Sequence, residues 1–171
     1  MKKLSLILSN IIVFYFLFFI FTSIASDKIV GLPKIIDGDT IEINNLSIRF
    51  GGIDAPESFY KGKTQLCFDK ISNKKLYCGA LSKKFLKRKI QNKEVVCIPE
   101  KGLDHYGRII GECFIGNESL STYMVKSGYA FDYKKYSKGK YENDQEYAKK
   151  ERAGLWKTNF DYPWIWRKNN K

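Results

Sequence analysis

The sequence predicts a mainly β, α+β domain, and three observations support that class. Apolar and polar residues alternate over Thr40–Ile43 and Leu46–Phe50, as expected of half-buried strands. Apolar residues near helical spacing begin at Gly79, and two more strand-like runs follow. Three strands, a helix, two strands and then helices is the order typical of a five-stranded OB-type barrel, here with about three helices.

The first three strands are predicted to form a meander. Residues 28–36 are an apolar run, residues 37–38 mark a tight turn or bulge, and residues 44–45 form a two-residue hairpin turn. The alternation over residues 46–50 places Arg49 on the opposite face of the sheet from its apolar neighbours. The acidic residues of this region therefore fall at strand ends.

The remaining elements are expected in the following order. Residues 58–78 read as a polar loop, after which a basic helix begins at Gly79. Two antiparallel strands follow at residues 94–98 and 108–115, and two helices at residues 118–127 and 143–153. The tail over residues 155–171 contains all three Trp and is expected to pack back on the domain. No internal repeat or second-domain linker is recognisable in this pattern.

The N-terminal 25 residues predict an export signal. Lys2 and Lys3 precede an eleven-residue apolar run over residues 11–21, and Ser23 and Ala25 supply the small residues of a cleavage site. A cleaved signal peptide is preferred, with a retained membrane anchor through residues 4–25 as the alternative. Either interpretation predicts an exported domain over residues 26–171, periplasmic or secreted, or anchored and facing outside the cytoplasm.

The formal net charge of +12 favours a polyanionic partner, because a positive field concentrates phosphate backbones. Solubility alone would also explain a basic exported domain, and an acidic membrane surface stays open as a partner. Eleven Tyr and three Trp add the capacity to stack on bases, although most of these aromatics are expected in the core.

The four cysteines favour disulfides over a zinc site. The chain has one His and no C-x-x-C motif, and an even cysteine count is typical of exported proteins. Three pairings are possible. Cys67–Cys78 and Cys97–Cys113 are preferred, because the first pair brackets one loop and the second lies in two strands that could face each other. Free buried thiols are the alternative.

Acidic and basic residues cluster at one predicted end of the sheet. Asp39 and Asp54 lie at the ends of adjacent strands, and hard divalent cations prefer such oxygen ligands. Glu57 is placed to orient a water molecule or take its proton, while Arg49 can grip a phosphate bidentately. Arg108 begins a later strand and could face the same site. Each acid judged singly is a plausible turn or cap residue, but together they predict a site for a divalent cation (Ca²⁺, Mg²⁺ or Mn²⁺) and a phosphate.

Three motifs resemble the staphylococcal nuclease (thermonuclease) family. They are I-D-G-D-T at 36–40, R-F-G-G-I-D-A-P-E at 49–57 and D-H-Y-G-R at 104–108, and G-L-W at 154–156 also fits. The resemblance covers about residues 28–160. It implies a nuclease-like OB barrel that uses one Ca²⁺ ion and hydrolyses DNA and RNA with little sequence preference, leaving 3′-phosphates.

The resemblance also implies roles for individual residues. Asp39 and Asp54 correspond to the metal carboxylates, and Ala55 takes the position whose backbone carbonyl binds the metal. Glu57 corresponds to the general-base candidate, and Arg49 and Arg108 correspond to the residues that clamp the phosphate. Two further residues, which resemble tyrosines that line the nucleotide pocket, are Tyr133 and Tyr136.

Two other classes compete with a nuclease. A non-catalytic nucleic-acid-binding OB module would explain the basic charge, but it needs neither a water-activating Glu57 nor a pair of metal carboxylates. A membrane-tethered adhesion or structural domain would explain the N-terminal apolar run and would leave the acids without a role. The sequence indicates no protein partner, and a monomer is expected.

Overall fold

A computed structural model of the chain describes residues 28–170, so the predicted export signal over residues 1–25 lies outside the described part. Within residues 28–170, no helix combines the length and the apolar character needed to cross a bilayer. The described part is α+β and rich in strands, as predicted.

Twelve strands lie in residues 28–170, and most are short. Named in chain order, they are β1 (Ile29–Gly31), β2 (Lys34–Asp37), β3 (Thr40–Ile43), β4 (Leu46–Phe50), β5 (Ile53–Asp54), β6 (Leu66–Asp69), β7 (Lys75–Tyr77), β8 (Val95–Leu103), β9 (Ile109–Ile115), β10 (Glu118–Ser119), β11 (Phe131–Asp132) and β12 (Thr158–Asn159).

The largest sheet has the order β1-β8-β9-β4-β3-β2, with β10 paired to β9. Its β2-β3-β4 part is the predicted antiparallel meander, and β4 pairs in parallel with β9. The turn between β3 and β4 uses Asn44 at φ 50° and Asn45 at φ 63°, which asparagine tolerates better than most residues. A closed five-stranded barrel stays a prediction. Two smaller sheets are also present: β11 pairs with β5, and β6 lies between β12 and β7.

Five α-helices accompany these strands in the described part: α1 (Cys78–Ile90), α2 (Leu120–Lys126), α3 (Lys134–Ser137), α4 (Glu142–Lys150) and α5 (Pro163–Asn169). A 3₁₀ helix covers Gly154–Lys157. The three predicted helices are α1, α2 and α4. The short helices α3 and α5 were missed because one or two turns carry too little periodicity to be recognised.

Two hydrophobic clusters hold these elements together. The larger lies between the main sheet and helices α1 and α2, and includes Ile41, Phe50 and Leu86. The smaller is aromatic, contains Phe131 and Trp156, and takes in the tail as predicted. Apolar burial of this kind contributes about 25 cal/mol per Å². The second cluster matters for function because it fixes the C-terminal segment beside β5 and β11.

Both predicted disulfides are confirmed. Cys67–Cys78 joins β6 to the start of α1, and Cys97–Cys113 joins directly opposed residues of β8 and β9. The predicted polar loop at 58–78 was wrong in part, because β6 and β7 form a hairpin within it. The two strands are only four and three residues long, too short to show a strand pattern in the sequence. The Cys67–Cys78 disulfide and the pairing of β6 with β12 support the hairpin.

Glu112 on β9 ties the main sheet to the segment before α4. Its carboxylate accepts hydrogen bonds from Ser119 Oγ (2.6 Å), Lys140 Nζ (2.5 Å) and Tyr141 OH (2.7 Å). Burial alone would raise the pKa of Glu112, but these donors outweigh it and hold that pKa below the ordinary value of 4.5.

We expect Glu112→Gln to lower the free energy of unfolding by about 1–3 kcal/mol at pH 7, because an amide cannot accept all three bonds. A depressed folded-state pKa stabilises the protein above the unfolded pKa, and this stabilisation is lost as pH falls through the folded pKa. The difference in free energy of unfolding between variant and wild type, measured by urea unfolding, should therefore narrow below pH 4.5. A gap that stays constant down to pH 3 would contradict this account.

Candidate active site

The turn between β2 and β3 places Asp39 inside the protein. A register shift between Ile35 and Asp37 turns the chain there, and Asp39 is 4% exposed. Its Oδ1 accepts a hydrogen bond from Thr40 Oγ1 (2.9 Å), and its Oδ2 accepts one from the Ala55 amide (2.8 Å). Asp39 therefore joins the β2–β3 turn to the end of β5.

Arg49 lies between the two predicted metal carboxylates. It projects from β4, on the face opposite buried Ile48 and Phe50, as the alternation predicts. Its Nη1 lies 2.7 Å from Asp39 Oδ2, and its Nη2 lies 2.7 Å from Asp54 Oδ1 and donates to the Ile53 carbonyl. Asp54 is fully buried on β5, which pairs with β11. The structure thus brings Asp39 and Asp54 to one guanidinium.

A third arginine, which the sequence analysis missed, completes this arrangement. Arg167 of α5 donates to Asp54 Oδ2 (2.7 Å) and Oδ1 (3.1 Å), and to Glu57 Oε1 (2.5 Å). Acids and arginines therefore alternate along one connected series, which we name the acid–arginine chain: Asp39, Arg49, Asp54, Arg167 and Glu57. In the sequence, Arg167 is marked only by its position after two Trp in a tail that is expected to pack on the domain.

Arg108 reaches the same site from the start of β9. Its Nη1 donates to Thr40 Oγ1 (3.2 Å), the hydroxyl that in turn donates to Asp39. Asp104 holds the rest of the guanidinium through Nε (2.8 Å) and Nη2 (2.7 Å). These contacts engage three of the five N–H donors of Arg108. The predicted approach of Arg108 toward Asp39 is therefore present in the structure.

Two more polar residues, one partly buried and one fully buried, support the site. Asp37, whose environment the sequence described only as a turn, accepts hydrogen bonds from the amides of Gly38 and Ser58. Gln65 is fully buried and accepts a hydrogen bond from the Glu57 amide (3.2 Å). Both hold the segment after β5 in place, and neither belongs to a recognisable local motif.

Burial and mutual repulsion set the charge of the acids. Burial, with Asp39 and Glu57 nearby, raises the pKa of Asp37 to about 7. Burial and the charge of Asp39 also raise the pKa of Glu57. Burial alone would raise the pKa of Asp39, but Arg49 and the Ala55 amide outweigh it and lower that pKa. Burial raises the pKa of Asp54, although Arg49 and Arg167 offset part of that rise.

The donor set fits a hard divalent cation in kind, since it consists of carboxylate oxygens. An ionised carboxylate has about four acceptor positions, and the described contacts occupy three on Asp39 and three on Asp54. Each acid therefore keeps about one acceptor position that the described contacts do not occupy. Residues 28–170 contain no group of three or more His, Cys, Asp or Glu side chains arranged as a metal site. The Ala55 carbonyl stays a predicted ligand.

Tyr133 and Tyr136 lie on the aromatic side of the site. Tyr133 follows β11 and stacks on Trp164 with ring centroids 4.8 Å apart. Tyr136 meets the edge of Tyr133 and is 61% exposed. Both belong to one aromatic surface, and their contact with a nucleotide stays a prediction.

Helix α1 packs so closely on the acidic loops that glycine is required at the contact. A Cβ on Gly79 would lie 1.9 Å from the Glu57 carbonyl oxygen, and a Cβ on Gly38 would lie 1.9 Å from Ser82 Oγ. Neither distance is compatible with a real side chain. The loop that carries Glu57 is thus pressed against the N-terminal turn of α1.

The site therefore consists of buried acids paired with arginines, and arginine is a side chain that proteins commonly use to bind phosphate. Comparison with known proteins identifies the class of protein. The family described as "Staphylococcal nuclease homologue" matches residues 47–158. The chain belongs to this staphylococcal nuclease homologue family.

Several curated proteins are similar to the chain. The succinoglycan biosynthesis protein ExoI of Rhizobium meliloti is 32% identical over 78% of this chain and 68% of its own length. An uncharacterized endonuclease of Haemophilus influenzae is 32% identical over 81% of this chain and 72% of its own. Staphylococcal-like nuclease CAN1 of Arabidopsis thaliana is 31% identical, and the match spans 34% of its length. The family and the nuclease-named relatives support a nuclease-type hydrolase.

We expect Gly79→Ala to destabilise the protein by about 1–3 kcal/mol, because the added methyl must displace the Glu57 backbone. Thermal unfolding would measure the loss. Gly79 lies inside α1 and has no positive φ, so the substitution adds no backbone strain and reports the contact with Glu57. An unfolding temperature equal to that of wild type would show that this contact is unimportant.

Proposed function

We propose that the protein is an exported endonuclease that hydrolyses phosphodiester bonds of DNA and RNA with one Ca²⁺ ion and little sequence preference. The observation that supports it most is the acid–arginine chain, together with Arg108 one hydroxyl away from Asp39. A closed OB-type barrel, a monomeric state and export through residues 1–25 belong to the same proposal. Retention in the membrane through residues 4–25 is the alternative to cleavage of a signal peptide.

Asp39 and Asp54, with the Ala55 carbonyl, would hold the cation. A bound Ca²⁺ ion would supply Lewis-acid stabilisation of charge on the phosphate oxygens. Arg49 lies against both carboxylates and favours their ionised form, which is the form that binds a cation. The tyrosines Tyr133 and Tyr136 would offer ring faces or hydroxyl groups to the nucleotide.

Glu57 is the residue that would take the proton of the attacking water. Its raised pKa, caused by burial and by Asp39, brings its basicity closer to neutral pH, where a general base works best. Arg49 and Arg108 each use three of five N–H donors in the described contacts, so both retain donors for phosphate oxygens. Two guanidinium groups would stabilise the charge that grows on phosphorus-bound oxygens.

A non-catalytic nucleic-acid-binding module is the second candidate, favoured only by the positive charge of the chain. Such a module has no use for a buried carboxylate held beside two others. The burial of Asp39 and Asp54 costs free energy that a binding surface would not need to spend.

We expect Ca²⁺ to be required for cleavage of plasmid DNA and of RNA, and a chelator to abolish it. Glu57→Gln should slow cleavage about 100-fold or more, because it removes the proton acceptor. Arg108→Ala should slow it by about 100–1,000-fold, because it removes a donor to the transition state. Gel electrophoresis over a time course measures each rate.

Two matched variants serve as controls for that assay. Glu42→Gln removes a carboxylate from β3 that pairs with Lys34, and Arg88→Ala removes an exposed arginine of α1. Both should cleave at the wild-type rate. Cleavage that ignores the chelator and the Glu57 and Arg108 substitutions would refute the mechanism, and retarded bands without cleavage would favour the binding module.

The resemblance to the staphylococcal nuclease family also implies the product ends. Attack of water with departure of the 5′ oxygen leaves a 3′-phosphate and a free 5′-hydroxyl. A polymerase should therefore fail to extend the products until a phosphatase has removed the 3′-phosphate. Extension without phosphatase treatment would show that the 3′ oxygen is the leaving group instead.

A further inference from the structure

The guanidinium of Arg167 joins two acids that the proposed reaction uses differently. Its Nη1 donates to Glu57 Oε1 (2.5 Å) and Asp54 Oδ1 (3.1 Å), while its Nη2 donates to Asp54 Oδ2 (2.7 Å). The side chain is 23% exposed and that of Glu57 is 18% exposed. The fork therefore fixes the carboxylate of Glu57 relative to that of Asp54.

Helix α5 is firmly seated, which makes Arg167 a fixed group. Pro163 begins the helix, a position that suits proline, and is buried. Trp164 stacks between Tyr162 (4.7 Å) and Tyr133 (4.8 Å), and Tyr162 packs on Phe131 of the aromatic cluster. The helix thus belongs to the second hydrophobic cluster of the domain.

Glu57 has a second connection to the same segment through its backbone. The Glu57 amide donates to Gln65 Oε1 (3.2 Å), and Gln65 Nε2 donates to the Asp161 carbonyl (2.7 Å). The backbone and the side chain of Glu57 are therefore both held by residues 161–167. Arg167 thus contacts the Glu57 side chain directly, whereas the Glu57 backbone is linked to Asp161 through Gln65.

We propose that Arg167 is a positioning residue that orients Glu57 for proton transfer, an inference that rests on the proposed nuclease function. Arg167 holds Oε1, and no described contact engages Oε2, so Oε2 is the oxygen that would accept the proton. A glutamate has three rotatable bonds, and a displacement of about 1 Å can cost about 100-fold in rate. The C-terminal helix is in this way part of the active site.

The planar fork of arginine is required for this role. A lysine would carry the same charge but is a point donor that cannot bridge two carboxylates in a fixed plane. Arg167→Lys therefore separates orientation from charge compensation. If Arg167 only balanced the charge of the acids, lysine would restore full activity.

The test is a double-mutant cycle in the full chain, with kcat and KM measured on a single-stranded oligonucleotide in Ca²⁺. Arg167→Ala should lower kcat by about 10–100-fold with KM changed less than about threefold, and Arg167→Lys should recover little of the loss. In a Glu57→Gln background, Arg167→Ala should cause no further loss of kcat, because the residue acts through Glu57. Lys168→Ala, an exposed neighbour on α5, is the control and should match wild type.

If the losses of kcat caused by Arg167→Ala and Glu57→Gln multiply in the double variant, the two residues act independently and the inference is overturned. A rise in kcat or in calorimetric Ca²⁺ affinity in Arg167→Ala would also overturn it, because Arg167 would then compete with the cation for the acids. Failure of wild-type protein to cleave would refute the proposed function and the positioning role with it. The unfolding temperatures of wild type, Arg167→Ala, Glu57→Gln and the double variant, measured without metal, still report whether Arg167 and Glu57 are coupled. Fully additive shifts in unfolding temperature would refute the contact between the two side chains.

Discussion

The acid–arginine chain is the interaction on which the rest of the structure depends. Three acids within nineteen residues of sequence would repel one another in a buried site, and two guanidiniums placed between them make that burial possible. Removing one member would leave an uncompensated charge in the interior, which is far more costly than losing a surface ion pair. The fold therefore has to bring each member of the acid–arginine chain to its place.

Separate elements perform that delivery. The β2–β3 turn brings Asp39, β4 brings Arg49 and β5, paired with β11, brings Asp54, so the meander and the strand that follows it assemble the first three members. The last acid, Glu57, follows β5 in a loop that packs on Gly79 of α1. The aromatic cluster, the Cys67–Cys78 hairpin and β12 together seat the C-terminal helix that brings Arg167. The second hydrophobic cluster thus positions the helix that carries Arg167.

The sequence predicted the part of this site that local spacing encodes. Alternation along β4 identified Arg49, and acids at adjacent strand ends identified Asp39 and Asp54, since both follow from the period of a strand. Arg167 could not be predicted in the same way, because it lies 113 residues from Asp54 and 110 from Glu57 and its helix is only seven residues long. The β6–β7 hairpin was missed for a related reason, since a disulfide and a distant strand stabilise it rather than its own pattern. Tertiary contacts between distant segments are the information that a single sequence does not display.

We propose above all that Asp39 and Asp54 hold one divalent cation beside a phosphate. Calorimetric titration of the full chain with Ca²⁺, with and without a bound nucleotide bisphosphate, tests it most directly. The account predicts one ion per chain, tighter binding when nucleotide is present, and no measurable binding for Asp54→Asn. Binding of Ca²⁺ to Asp54→Asn with unchanged affinity and stoichiometry would contradict it.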